Sequence, residues 1–299
     1  MSSFFDEIAR NKLKSVLLMC LFSLFFFAII YLAVLFFGGG LFGLVIGAIL
    51  IIVYAAFSYF AGGKMVLKIS GAHPADRSKY PVLFDAVEGL AAASQVPMPG
   101  VYVINDPSPN AFATGRNKKH SYVAVTSGLL AMMNRNELQG VIAHEMSHVY
   151  NNDMQFMMVA VVFAGAIGLI AAVMRTSIFF GGFGGNGRGN NGLIIIVALI
   201  LSFLAPLFAL LIRLAISRRR EYMADANGAR LTRAPGDLAS ALQKIRDYSA
   251  KPTAQPVRHA NDITASLYFA NPLSKASVIN LFSTHPPIDE RIKKLKQMY

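Results

Sequence analysis

The chain has 299 residues, of which 55% are hydrophobic and only 15% charged, with 28 Lys and Arg against 16 Asp and Glu for a net charge of +12. A soluble domain ordinarily carries about 25% charged residues, so the composition points to a membrane protein whose positive surplus sits on cytoplasmic loops. No nucleic-acid-binding motif accompanies that charge, and the single cysteine, Cys20, excludes an intramolecular disulfide.

In chain order, a short N-terminal segment (1–15) precedes two uncharged runs, 16–37 and 41–60, parted only by Gly38, Gly39 and Gly40. Each run reaches the roughly 20 apolar residues that a bilayer-spanning helix needs, so together they predict a transmembrane hairpin. The first run is too long for a cleaved signal peptide and has no small-residue cleavage site before a polar start. A polar block, 61–153, follows. Within it "YPVLFDAVEGLAAASQ" has apolar residues at helical spacing and "VYVIND" alternates like a strand. "NAFATGRNKK" reads as a turn-rich connection, "SYVAVTSGLL" as a second strand, and "NRNELQGVIAHEMSHVYNND" as a helix that starts at Asn134 with Glu137 three residues on. Two more hydrophobic runs, 154–174 and 193–212, form a second hairpin (154–216) around a Gly-rich loop at 181–192, and Pro206 predicts a kink in the last run. A second polar block, 217–299, ends the chain.

Charge orients these runs. Arg10, Lys12 and Lys14 precede the first, Lys64 and Lys68 follow the second, and Arg218, Arg219 and Arg220 follow the fourth. The first hairpin loop has no charge, and the second has Arg175 and Arg188. The positive-inside rule then places both termini and the middle block in the cytoplasm, so the two polar blocks share one side and can build one domain.

The chemistry concentrates in "VIAHEMSHVYNND". On a helix His144 and His148 are one turn apart on one face and can grip one ion. Glu145, beside the first histidine, can reach a water bound to that ion: zinc lowers the pKa of the water and the glutamate takes its proton. The competing reading, two histidines on a polar helix surface, would leave them partly buried without partners among apolar neighbours. A catalytic zinc needs a third protein ligand and one open position. Asp153, Glu221, Asp225, His259 and His285 are the candidates on the same side. "REYMADANGAR" fits best, because Glu221 and Asp225 are one helical turn apart; one can ligate while the other accepts the free N–H of a ligand histidine. Pairing of Glu221 with Arg218, Arg219 and Arg220 is the alternative.

"HEMSH", then a hydrophobic hairpin, then "REYMADANGA" and "THPPIDERI", with "NAFATG" and "VAVTSGLL" upstream, resemble the HtpX family of membrane-integrated gluzincin proteases, related to the eukaryotic CAAX prenyl endopeptidase. The resemblance covers roughly residues 60–299. It implies one Zn2+ per chain held by His144, His148 and Glu221, with Glu145 as general base and Asp225 behind a ligand histidine. It implies that Asn110, Ala111, Phe112 and Ala113 form an edge on which an extended substrate pairs through its backbone, a mode that predicts broad specificity. His285, in the extended turn set by two prolines, either stabilises the oxyanion, as the resemblance suggests, or is a turn histidine satisfied by backbone. Arg291 either assists or is a solvated helix residue. His73, His120 and His259 read as surface histidines.

The expected fold class is therefore a mainly α membrane protein, with four hydrophobic helices and a cytoplasmic zincin-like α+β protease domain carrying a small antiparallel sheet. The expected activity is endoproteolysis of exposed or misfolded segments of membrane proteins at the bacterial cytoplasmic membrane, with such polypeptides and the lipid bilayer as partners and no nucleic acid. A transporter or channel would carry ionisable residues inside its spans. Here the first three have none, and Arg213 at the end of the fourth can snorkel. A non-catalytic zinc scaffold would not need Glu145. A dedicated processing protease would share every feature above.

Overall fold

The computed structural model describes residues 40–155, 157–159, 218–258, 260, 267–270 and 286–298, together with residues 13, 16, 17, 20, 21, 23, 24 and 27, all of them helical. The predicted run 41–60 lies inside helix α1 (Gly40–Ile69), which continues nine residues past Phe60. Thirty residues of helix span about 45 Å, against about 30 Å of bilayer hydrocarbon, so α1 is long enough to cross a membrane and project beyond it. Its two ends differ accordingly. Leu41 and Phe42 are 77% and 76% exposed, and Ile52 and Phe60 remain 67% and 66% exposed, a surface that calls for lipid. Val66, Leu67 and Ser70, by contrast, are buried against the sheet. Among the described residues α1 is the one helix long and apolar enough to cross a membrane. Most of run 16–37, nearly all of runs 154–174 and 193–212, and the Gly-rich loop 181–192 lie outside the described residues.

After α1 come β1 (Ala72–Pro74), α2 (Pro81–Ser94), β2 (Gly100–Ile104), β3 (Ala111–Asn117), β4 (His120–Thr126), the short α3 (Ser127–Met132) and α4 (Arg135–Asn151). Pro81 opens α2 at a position where its missing N–H costs nothing. Beyond residue 217 lie α5 (Arg218–Thr232), α6 (Pro235–Ser249) and α7 (Ile288–Lys296).

Two expectations are corrected. "NAFATGRNKK" is not a loop: Ala111 to Asn117 form strand β3, which turns at Lys118 and Lys119 into β4. Helices α1 and α4 both pack against β3, and its first five residues are all buried. A strand covered in this way loses the alternation that marks a half-exposed one, and its small residues (Ala, Thr, Gly) let the helices approach. Gly63 of α1 shows how closely: a Cβ there would lie 3.2 Å from the Cα of Gly115. Secondly, the sheet is mixed rather than antiparallel. Its order is β1-β2-β4-β3, with β2 and β4 parallel, in register from Gly100 opposite Tyr122 to Ile104 opposite Thr126. The loop after β2 carries the chain past one strand position, and the β3–β4 hairpin then folds β4 back into the gap. Asp106 fixes that loop: Oδ1 accepts the N–H of Ser108, Oδ2 that of Arg258, and its carbonyl that of Gly128, each at 2.8 Å.

Helix α4 forms the centre of the core. Val141, Ile142, Ala143, Met146 and Val149 have no exposed surface, and α2, α5, α6 and β3 pack around the helix. Its start is the capping box expected from sequence: Asn134 Oδ1 accepts the Glu137 N–H and Glu137 Oε2 accepts the Asn134 N–H, both at 2.9 Å. Its end is set by Asn152, in the left-handed conformation at φ 56.

Candidate metal centre

Helix α4 presents His144 and His148 one turn apart, both buried, with their rings edge to face at 4.9 Å between centroids. Helix α5 crosses α4 at Gly228, where a Cβ would come within 3.1 Å of the His144 amide nitrogen. Glu221, Asp225 and Gly228 follow one another at spacings of four and three, so this close crossing brings the face that carries both carboxylates against the histidines.

Glu221 Oε2 lies 3.6 Å from His144 Nε2, its Oε1 3.6 Å from His148 Nε2, and the two Nε2 atoms are 3.2 Å apart. Ligand atoms about 2.0–2.1 Å from a tetrahedral zinc stand about 3.3 Å from each other, so the trio fits that ion. These three residues offer ligand atoms that all lie within 4.8 Å of one another.

The Nδ1 side of each ring decides its tautomer. His144 Nδ1 is 2.9 Å from Asp225 Oδ1, and His148 Nδ1 is 3.1 Å from Asp153 Oδ2. With Nδ1–H donating to a carboxylate, both Nε2 lone pairs point at the same place, an arrangement that repels unless a cation sits between them. Burial alone disfavours charged imidazoles here, yet the surrounding carboxylates outweigh it: His144 is raised, and His148, beside Asp153, Glu221 and Glu145, is pushed up to about 9. The pocket thus calls for positive charge, which protons or a metal ion can supply.

Asp225 is in turn gripped by Arg291 of α7, whose Nε donates to Oδ2 at 2.8 Å and Nη2 to Oδ1 at 2.7 Å. Burial would raise the Asp225 carboxyl, but Arg291 and His144 hold it down at about 2. Reading Arg291 as a solvated helix residue is therefore wrong: it is 2% exposed. The signal was present in the sequence, because Ile288, Arg291, Ile292 and Leu295 follow the spacing of a buried helical stripe and Arg291 stands within it. Asp153, one of the third-ligand candidates, serves the Nδ1 side of His148 instead, with Arg220 Nη1 3.8 Å away.

Glu145 lines the same cavity as His144, His148 and Glu221. It is 1% exposed, burial raises its pKa, and its Oε1 has no hydrogen-bond partner among the described residues. A water on a metal at the fourth position is the group that such an acceptor suits.

The structure thus brings His144, Glu145, His148, Glu221 and Asp225 together. Of the expected edge, Ala113 lines the cavity and Asn110 reaches the main chain of Ala270. His285 and His259 lie outside the described residues, while His73 and His120 are exposed. Sequence reading missed Leu267, Tyr268 and Phe269, which form the opposite wall. The Phe269 ring stands edge-on to His144 at 4.8 Å, and the Arg291 guanidinium lies 4.8 Å from the same ring.

Comparison with known proteins bears on this geometry. A family model described as peptidase family M48 matches residues 79–299. Relatives named "Protease HtpX homolog" include one from Caldanaerobacter subterraneus subsp. tengcongensis, 47% identical over 294 residues, covering 97% of this chain and 96% of the relative. Another, from Thermoanaerobacter pseudethanolicus, is 48% identical over 295 residues with the same coverage, and one from Dictyoglomus turgidum is 42% identical over 296 residues, covering 99% and 95%. Among solved structures, the crystal structure of S. mikatae Ste24p superposes with a TM-score of 0.51 at 21% identity. The match covers 90% of this chain and 62% of that one, and it supports a shared fold.

Proposed function

The chain belongs to peptidase family M48, a zinc metalloendopeptidase of the HtpX kind, and from that premise we propose that His144, His148 and Glu221 hold one zinc ion and that Glu145 is the general base. The observation that carries this is the convergence of three ligand atoms on one point, with an unpartnered carboxylate oxygen in the same cavity.

Bound there, zinc supplies the Lewis acidity that makes a water nucleophilic near neutral pH. Glu145 takes a proton from the attacking water and returns it to the leaving amine, and burial, which raises its pKa, favours its taking that proton. Asp225 and Asp153 keep the two imidazoles turned with Nε2 inward, and Arg291 holds Asp225 in that position. Asn110, Ala111, Phe112 and Ala113 offer the edge along which a peptide backbone lies.

Substrates are exposed or misfolded segments of membrane proteins. The exposed apolar half of α1 supports membrane residence. Lys64 and Lys68, at the end of α1 that reaches the sheet, support a cytoplasmic site in a bacterial membrane, with four spans and both termini on that side.

The test is purified protein in detergent, wild type against Glu145→Gln, with bound zinc and cleavage of an unfolded membrane-protein substrate measured on both. The variant keeps its zinc and loses about 10²–10⁴-fold in rate. Equal cleavage by the two contradicts the assignment.

A further inference from the structure

We propose that residues 267–270 sit where substrate sits: they form an intramolecular strap along the edge of β3 that a substrate must displace, and their own side chains show which substrates fit. The inference rests on the peptidase reading above and concerns what occupies that site.

Among the described residues β3 is the outer strand of the sheet, so one of its edges has no strand of the sheet beside it there. Residues 267–270 cover that edge beside the metal centre. Phe112 and Tyr268 make an antiparallel bridge, and the Phe269 N–H donates to the Ala111 carbonyl at 2.7 Å. Asn110 then takes the next residue from both sides: its Nδ2 donates to the Ala270 carbonyl at 2.9 Å, and its Oδ1 accepts the Ala270 N–H at 3.2 Å. On the far side the Phe269 carbonyl accepts from Arg291 Nη1 at 3.0 Å. These bonds use only main-chain groups of the strap, so any extended peptide can present the same set.

The space left over argues the same way. With Leu267, Tyr268 and Phe269 in place, the cavity beside His144, Glu145 and His148 is about 10 Å³ in the space open to the centre of a water molecule, roughly one water's worth. No peptide enters such a space, and among the described residues the strap is the main-chain segment whose place a substrate can take. The replacement is between like groups, because the edge exchanges one antiparallel strand for another.

The strap also defines a substrate class. Leu267, Tyr268 and Phe269 are at most 5% exposed, and Phe269 fits between the ring of His144 and the guanidinium of Arg291. Extended segments that place a large apolar or aromatic side chain at that position, followed by a small residue, reproduce the contacts of Phe269 and Ala270. Unfolded stretches of membrane proteins are rich in such sequences.

The experiment uses the full zinc-loaded chain in detergent, with a short unstructured fluorogenic peptide carrying a central Phe-Ala. Tyr268→Ala removes the edge-to-face packing on Phe112 (5.2 Å between centroids) and raises kcat/KM by about five- to tenfold, mainly through KM, with zinc content unchanged. Ala270→Pro deletes the N–H that reaches Asn110, leaves the packing intact, and acts in the same direction; it carries the test if Tyr268→Ala does not fold. The blocked tetrapeptide Leu-Tyr-Phe-Ala inhibits competitively, more strongly in the strap variants than in wild type, while a scrambled peptide does not. Variants that hold zinc but cleave no faster than wild type overturn the strap while leaving the peptidase reading intact. Wild type and strap variants that hold zinc and all cleave nothing overturn the peptidase reading, and the strap with it.

Discussion

The two ends of helix α4 each carry a buried carboxylate partner network, and they differ in one respect. At the N-terminal end Glu137 is saturated: the Asn134 N–H at 2.9 Å and Lys244 Nζ at 2.6 Å donate to Oε2, and Ser240 Oγ donates to Oε1 at 2.7 Å. At the C-terminal end Asp225 is equally well held by Arg291 and His144, but what it holds is not satisfied. Two imidazole lone pairs and a carboxylate face one point, and Glu145 Oε1 has no partner among the described residues. A polar cluster that closes on itself is structure, whereas one that leaves convergent acceptors in a cavity is a site that awaits a cation and a water.

That contrast is breakable at both ends. Arg291→Met at the site end has the largest effect. It leaves Asp225 a buried charge without its guanidinium, costing about 3–5 kcal/mol of stability, and frees His144 to turn, lowering zinc affinity about 10–100-fold. Thermal unfolding together with zinc competition against a chelator reads both; a variant as stable and as zinc-avid as wild type would break the proposed network. Loosening the strap comes next in size, and it acts on turnover while leaving zinc content alone.

Glu137→Ala at the saturated end has the smallest effect on the site, with no change in zinc affinity, and costs about 1–2 kcal/mol of stability. Its pH dependence sharpens the point. Burial would raise the Glu137 carboxyl, but Lys244, the Asn134 N–H and Ser240 bring its pKa below the ordinary 4.5. A depressed carboxylate pKa means that this contribution is fully present above pH 4.5 and is lost as pH falls through the lower folded value. The stability gap between wild type and Glu137→Ala therefore narrows below pH 4.5 in acid unfolding. A gap that persists unchanged to low pH would show that the charge is not what holds this end.

What the sequence made legible follows the same division. His144, Glu145 and His148, and Glu221 and Asp225 as a pair, could be read because side-chain chemistry repeats at helical spacing, whereas which carboxylate ligates was implied only by the resemblance to the HtpX family; the Asn134–Glu137 capping box is local in the same way. Strand β3 could not, because α1 and α4 pack over small residues there and remove the alternation that marks a strand. The parallel pairing of β2 with β4 depends on where a hairpin inserts, which no local pattern encodes. Helix α1 was placed by its apolar run and ends nine residues later, because Ala61 to Ile69 continue the helix as an amphipathic stretch, with Val66 and Leu67 packed on the sheet and Lys64 and Lys68 exposed. Arg291 was readable from its place in an apolar stripe. The strap was not, since Asn110 and Ala111 recognise main chain, and main chain is the same for every residue.

The central claim is that two imidazoles and one carboxylate gather one zinc ion at the C-terminal end of α4. X-ray absorption at the zinc edge, on purified full-length protein with metal content measured in parallel, tests it most directly. One zinc per chain, with two imidazole ligands and the remaining ligands oxygen, all at about 2.0–2.2 Å, is the predicted result, and Glu221→Ala loses one oxygen or the metal altogether. A chain that binds no zinc, or a spectrum without two imidazoles, would contradict it.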